Sequence, residues 1–81
     1  MPYITKADRD DIDNGGAIDN CGSFNYAITQ LAREYIAKIG ESYQTYNDLI
    51  GALECAKLEL YRRRISLYEN KKIDLNGDVY D

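Results

Sequence analysis

The stretch YNDLIGALECAKLELYRRRISLYE, residues 46–69, decides the fold. Tyr46, Leu49, Leu53, Ala56, Leu60 and Leu67 recur in steps of three and four, with Arg64 in the same stripe. That spacing is one face of an α-helix. Ile50 and Tyr68 flank the stripe, and no proline or turn cluster interrupts it. Thr45-Tyr46-Asn47-Asp48 reads as a capping box, so the helix is expected to start there and run to about Glu69. At 1.5 Å per residue it would be roughly 36 Å long. A second row, Gly51, Cys55, Leu58, Arg62 and Ile65, lies on the opposite side. A helix that is apolar on two sides wants more than one neighbour.

Upstream, Phe24, Ala27, Ile28, Leu31, Tyr35 and Ile39 form another helical face. Ser23 is the expected N-cap and Gly40 the expected stop. Glu34 and Lys38 have the spacing of a supporting i,i+4 pair. Thr5-Lys6-Ala7-Asp8 fits a capping box for a short first helix, which Asn14-Gly15-Gly16 would end. Asp11-Ile12-Asp13-Asn14-Gly15 lacks the glycine and glutamate positions of an EF-hand and reads as an exposed turn. After the long helix, Asn76-Gly77-Asp78 marks a turn, and Ile73, Leu75, Val79 and Tyr80 are expected to pack back on the helices. The expected fold is therefore all-α and a single small domain over 1–81. It is a helical hairpin with one long helix, a short N-terminal helix or coil and a packed C-terminal tail.

One preceding helix covers only part of a two-faced helix. The extra neighbour is either the N-terminal segment folding back or another copy of the chain. The second option, a homo-oligomer with the long helix in its interface, is favoured because 81 residues leave little else to do the covering.

Composition narrows the function classes. The net charge is −4, which argues against general binding of DNA or RNA backbones. Local fields still follow where charges sit. Acids gather early, at Asp8, Asp10, Asp11, Asp13 and Asp19, and late, at Asp74, Asp78 and Asp81, while bases gather at Arg62-Arg63-Arg64 and Lys71-Lys72. Histidine is absent, and Cys21 and Cys55 stand far apart with no C-x-x-C, so His/Cys zinc sites and histidine triads are excluded and no metal is expected. No apolar run is long enough to cross a membrane. The opening Met1-Pro2-Tyr3-Ile4-Thr5-Lys6 is no export signal, so the cytoplasm is the expected compartment. Glu54 and Glu59 are not an i,i+4 carboxylate pair, the repeated acidic motif of helical nucleotide hydrolases is missing, and Gly15-Gly16 is no phosphate loop. No catalytic residue, enzyme activity or cofactor is expected.

The residues that stand out for binding are Lys57, Tyr61, Arg62, Arg63, Arg64 and Tyr68. Lys57 and Arg64 fall near the apolar stripe, where an unpaired charge is costly. Each either snorkels to solvent, pairs with a carboxylate such as Glu34 or one on a partner subunit, or lines an anion pocket. Three successive arginines on a helix fan outward by about 100° each, so one chain alone makes no single patch of them. Symmetry could bring arginines from several subunits together to clamp a phosphate. Tyr61, Tyr68 or Tyr26 could offer a stacking platform for a base. The plainer alternative is that last-turn arginines complement the helix C-terminus and keep the surface soluble. The chain has eight tyrosines, an abundance that also suits interface anchors.

Three blocks resemble a known family: Phe24-Asn25-Tyr26-Ala27-Ile28-Thr29, the run from Tyr46 to Arg64, and Tyr68-Glu69-Asn70-Lys71-Lys72-Ile73 with Asn76-Gly77-Asp78-Val79-Tyr80. They are similar to a family of short proteins of unknown function from tailed phages and bacterial genomes. The N-terminal part departs more, because Gly15-Gly16 and the aspartates weaken the helix expected there. The resemblance implies a small phage- or prophage-type binding protein that captures a host factor. The specific version is an anionic, cyclic nucleotide of host immune signalling. The alternative is a protein–protein adaptor, or an accessory in virion or genome handling, with no small ligand.

Overall fold

The computed structural model describes residues 4–80. Met1-Pro2-Tyr3, part of the opening read as no export signal, and Asp81 of the late acidic cluster lie outside the described residues. The fold is all-α, with a short N-terminal helix, one long C-terminal helical segment and no strand among the described residues. The elements are α1 (Lys6–Asp13), α2 (Cys21–Ile39), α3 (Tyr43–Leu60), a π-helical segment (Tyr61–Ile65) and α4 (Ser66–Asn76). The chain divides into two compact units, Met1–Thr45 and Tyr46–Asp81.

In the first unit each helix start is a cap written in the sequence. Thr5 caps α1, its hydroxyl accepting from the Asp8 N–H at 3.2 Å as expected. The α2 cap is Asn20 rather than Ser23: the Asn20 side chain accepts from the Ser23 N–H at 2.9 Å. The α3 start likewise moves upstream of Thr45, with the Ser42 hydroxyl accepting from the Thr45 N–H at 3.1 Å. Ser23 and Thr45 thus both sit three residues after their cap, where the donated N–H holds them. They are the buried residues of the described chain, at 5% and 3% exposure. Thr45 also donates its hydroxyl to the Gly40 carbonyl at 2.7 Å. Gly40 ends α2 as expected, at φ +101°, its N–H donating to the Ile36 carbonyl at 2.8 Å. That left-handed φ suits glycine.

Helices α1 and α2 pack on each other. The turn between them closes with Gly16, whose N–H donates to the Asp11 carbonyl at 2.8 Å. A Cβ at Gly16 would strike both the Asp11 carboxylate and that carbonyl. Across the helix pair the Tyr26 hydroxyl donates to Asp13 at 2.8 Å and the Gln30 amide at 3.4 Å. Arg33 in turn donates to the Gln30 side-chain oxygen at 2.8 Å. Partial burial, then the hydrogen bond to Asp13, raises the Tyr26 phenol above the ordinary tyrosine value. The Glu34–Lys38 pair suggested by spacing is not formed among the described residues; the nearby groove between α1 and α2 is lined by Ile12, Ile18, Ala27, Leu31 and Glu34.

The second unit is helical from Tyr46 to Asn76, past the expected end at Glu69. Nothing between Glu69 and Asn76 breaks a helix. The stop is Gly77, at φ +84°, its N–H donating to the Ile73 carbonyl at 2.8 Å. Ile73 and Leu75, expected in a packed tail, therefore belong to α4. Val79 and Tyr80 lie open at 92% and 84% exposure, so the tail does not pack. Among the described residues no hydrophobic side chain is buried, and no helix is long and apolar enough to cross a membrane.

Candidate functional site: an arginine-bearing π segment

Five of the eleven residues between Lys57 and Leu67 form the π segment, Tyr61-Arg62-Arg63-Arg64-Ile65. At its end the Ser66 N–H donates to the Tyr61 carbonyl, five residues back. In an α-helix that N–H would go to Arg62. The Ser66 hydroxyl takes the Arg62 carbonyl instead, at 2.8 Å, so the wider turn leaves that acceptor satisfied. Single π turns inside α-helices concentrate at functional sites.

A π turn inserts one extra residue into the helix, so every position after it is rotated by about 100° relative to an unbroken α-helix. An unbroken helix would continue the stripe Leu53, Ala56, Leu60 into Arg64, Leu67, Lys71 and Asp74. With the insertion the same face continues into Ile65, Tyr68, Lys72 and Leu75. Arg64, expected on the apolar stripe, is moved off it and Ile65 replaces it. The Tyr61 hydroxyl fits this register: it donates to both Glu69 oxygens, at 3.2 and 3.1 Å. Eight residues apart is a poor pairing on an α-helix, but one inserted residue makes it behave as a neighbour two turns away. Hydrogen bonding to Glu69, then its negative charge, raises the Tyr61 phenol above the ordinary tyrosine value.

The six singled-out residues all lie on the open surface of α3, the π segment and α4. Lys57 pairs with Glu54 at 3.4 Å, one turn away on its own helix. Arg63 Nε approaches Glu59 at 3.1 Å, and Arg62 stands 4.0 Å from the same carboxylate. Such exposed pairs contribute little to stability, about 0–1 kcal/mol. Arg64 makes no hydrogen bond or ion pair among the described residues, which leaves its guanidinium fork available. Tyr68 carries Lys72 Nζ over its ring, 5.5 Å from the centroid. Tyr61 is brought together with Glu69, not with the arginine heads. Sequence reading missed Glu59, Glu69 and Ser66. Glu59 was legible from its i,i+3 and i,i+4 spacing to Arg62 and Arg63. The other two depend on the π turn.

The chemistry available here is recognition of an anion by guanidinium groups, beside tyrosine rings with exposed faces. A groove of about 440 Å³ at the end of α4 is lined by Glu69, Lys72, Ile73, Gly77 and Tyr80, and takes in none of the arginines. No three cysteine, aspartate or glutamate side chains converge as a metal-binding set among the described residues.

The chain belongs to the family of the domain of unknown function DUF6899, whose model matches residues 1–79. No curated protein and no solved structure matches it.

Proposed function

We propose, for this member of the DUF6899 family, a self-assembling binding protein that captures a small anionic ligand at the arginine-bearing π segment. The observation that carries the reading is that segment itself. It spends a non-standard turn on Tyr61-Arg62-Arg63-Arg64-Ile65, frees Arg64 from the apolar stripe and leaves it unpaired within the described chain. Arg64 is the primary phosphate ligand, with Arg62, Arg63 and Lys57 adding positive charge once drawn from Glu59 and Glu54. Tyr61 and Tyr68 supply rings for a base to stack on. The specific ligand is a cyclic nucleotide used in host immune signalling. The setting is a phage- or prophage-encoded protein in the host cytoplasm, working as a homo-oligomer that sequesters the signal without turning it over. The test is isothermal calorimetry of the full chain against a panel of cyclic di- and trinucleotides. Saturable binding that Arg64→Ala weakens at least tenfold supports the reading; no heat with any member of the panel overturns it.

A second reading rests on the open Tyr43, Val79 and Tyr80, the most exposed large apolar groups of the described chain. Exposed aromatic groups serve as anchors in protein–protein contacts. In this reading the chain is an adaptor, or a virion or genome-handling accessory, that binds a host protein and no nucleotide. A specific partner in a host pull-down, lost with Tyr80→Ala and kept with Arg64→Ala, would favour it.

A further inference from the structure

We infer that the apolar face of α3 and α4 binds a second copy of this chain as an antiparallel helix pair, with the two-fold axis at Leu60. The inference rests on the self-assembly in the preceding proposal and is independent of the ligand. Two observations carry it, and they give the same centre.

The first is spacing. Before the π segment the face is Tyr46, Leu49, Leu53, Ala56 and Leu60, in steps of three, four, three and four. After it the face continues through Ile65, Tyr68, Lys72 and Leu75, and because the step from Leu60 to Ile65 contains the inserted residue it counts as four, so the steps outward from Leu60 are four, three, four and three in both directions. The two halves are mirror images about Leu60. Two antiparallel copies therefore set Tyr46 against Leu75, Leu53 against Tyr68, and small Ala56 against large Ile65. Leu49 faces Lys72, whose ammonium stands over the Tyr68 ring and whose stem can cover apolar surface. An unbroken α-helix would have put Arg64, Lys71 and Asp74 on this face, so the π turn is what makes it self-complementary.

The second observation is charge. Residues 46–60 carry Asp48, Glu54 and Glu59 against Lys57, a net −2, and residues 61–75, the stretch they would pair with, carry five basic residues against Glu69 and Asp74, a net +3. The sign changes between residues 60 and 61. Antiparallel pairing about that point lays each acidic block along the partner's basic block, whereas parallel pairing lays like on like. The face also offers contact area: eight apolar side chains per copy, none of them buried, run the length of α3 and α4 toward the ~800 Å² per side of a standard interface. The axis also brings Arg62, Arg63 and Arg64 of both copies within a turn of the centre, on the two sides of the same point. The anion site is then composite and incomplete in one chain.

Cysteine cross-linking of the full chain tests this in a Cys21→Ser, Cys55→Ser background. Under mild oxidation Leu60→Cys is expected to link to itself and Leu53→Cys alone is not, while Leu53→Cys mixed with Tyr68→Cys gives the mixed dimer. Self-linking of Leu53→Cys as fast as Leu60→Cys would mean parallel pairing and overturn the inference. So would a single-chain mass for the unsubstituted protein in sedimentation at 100 µM, on the order of a weak interface's working range. The two proposals fail separately. A single chain that still binds nucleotide sinks the helix pair and keeps the ligand reading. A cross-linked antiparallel dimer blind to the nucleotide panel keeps the helix pair and sinks the ligand reading.

Discussion

The two units of this chain hold their shape by different means. The first, from the α1 cap to Thr45, is fixed from within: three caps, a glycine turn and a polar chain from Arg33 through Gln30 to Asp13 and Tyr26. The second is a helix with one π turn and an apolar face, and the ion pairs and hydrogen bonds of Lys57, Arg62, Arg63 and Tyr61 run along that helix. Helix formation in water depends mostly on burying such a face. The difference teaches that local hydrogen bonding can define a small unit without a buried hydrophobic side chain, whereas a long amphipathic helix must take its stabilising surface from elsewhere. Perturbing the first unit should therefore cost local order, and perturbing the face of the second should cost assembly.

The largest expected effect is Leu60→Asp. It would place two carboxylates, one from each copy, at the axis of the proposed helix pair, in surface that assembly dehydrates. Burying unpaired charges and losing two leucines at an interface centre costs about 3–5 kcal/mol, or roughly a hundredfold to a few thousandfold in dissociation constant. Sedimentation should show the variant as a single chain with reduced helicity in α3 and α4. The same change at Leu31, which is more exposed than Leu60 but lies on α2, should leave assembly unchanged. If Leu31→Asp dissociates the protein as thoroughly, the contrast between the units is wrong.

Next in size is Gly16→Ala. Its Cβ meets the Asp11 carbonyl at 2.8 Å as well as the Asp11 carboxylate, so the backbone must shift and not only a side chain. A displaced turn of this kind costs about 1–3 kcal/mol. Hydrogen exchange should show faster opening of α1, with α3 and α4 unaffected. Asn20→Ala comes after it, at about 1 kcal/mol for a lost cap. The loss should appear at the start of α2, while Ser23→Ala, which leaves the cap in place, should do less. That ordering checks the assignment of the cap to Asn20 directly.

The caps show how much was legible in the sequence. The helices, the phases of α2 and of α3 up to Leu60, and the stops at Asn14-Gly15 and Gly40 followed from periodicity, a capping box and glycine. Ser23 and Thr45 were each read as the cap when each is the residue whose N–H the cap accepts. Two polar residues three apart both satisfy the preference for short side chains with an acceptor oxygen, so spacing alone does not say which is outside the helix. The extension of α4 to Asn76 was legible, because no breaker precedes Gly77. The π segment was not, since a fixed 100° per residue assumes that no turn holds an extra one. Its trace was a misfit: Arg64 in an apolar stripe, with Ile65 next to it on the wrong side. The six binding candidates were found by residue type, but which arginine stays unpaired depended on Glu59, whose reach to Arg62 and Arg63 is a matter of rotamers.

The smallest expected effect uses the two tyrosine–carboxylate bonds, one in each unit. Tyr26 is held by Asp13 across two helices, and Tyr61 by Glu69 along one. Both phenols are raised above the ordinary tyrosine value. A folded-state value above the unfolded one means that the proton is held more tightly in the fold. The contribution to stability is then present in full below pH 10 or so and is lost as pH rises through the raised value. At neutral pH both bonds are intact, and neither titrates in the physiological range. Ultraviolet titration of the phenolate band should lose a late component in Tyr26→Phe and another in Tyr61→Phe. The structural consequences should differ. Alkaline loss of the Tyr26 bond loosens α1 from α2, because that bond joins separate helices. Loss of the Tyr61 bond leaves the π turn in place, because the Ser66 hydroxyl and backbone still close it. Should Tyr61→Phe instead straighten the segment into an α-helix, the face after it would rotate by about 100°. Leu60→Cys would then no longer be the position that links to its own copy.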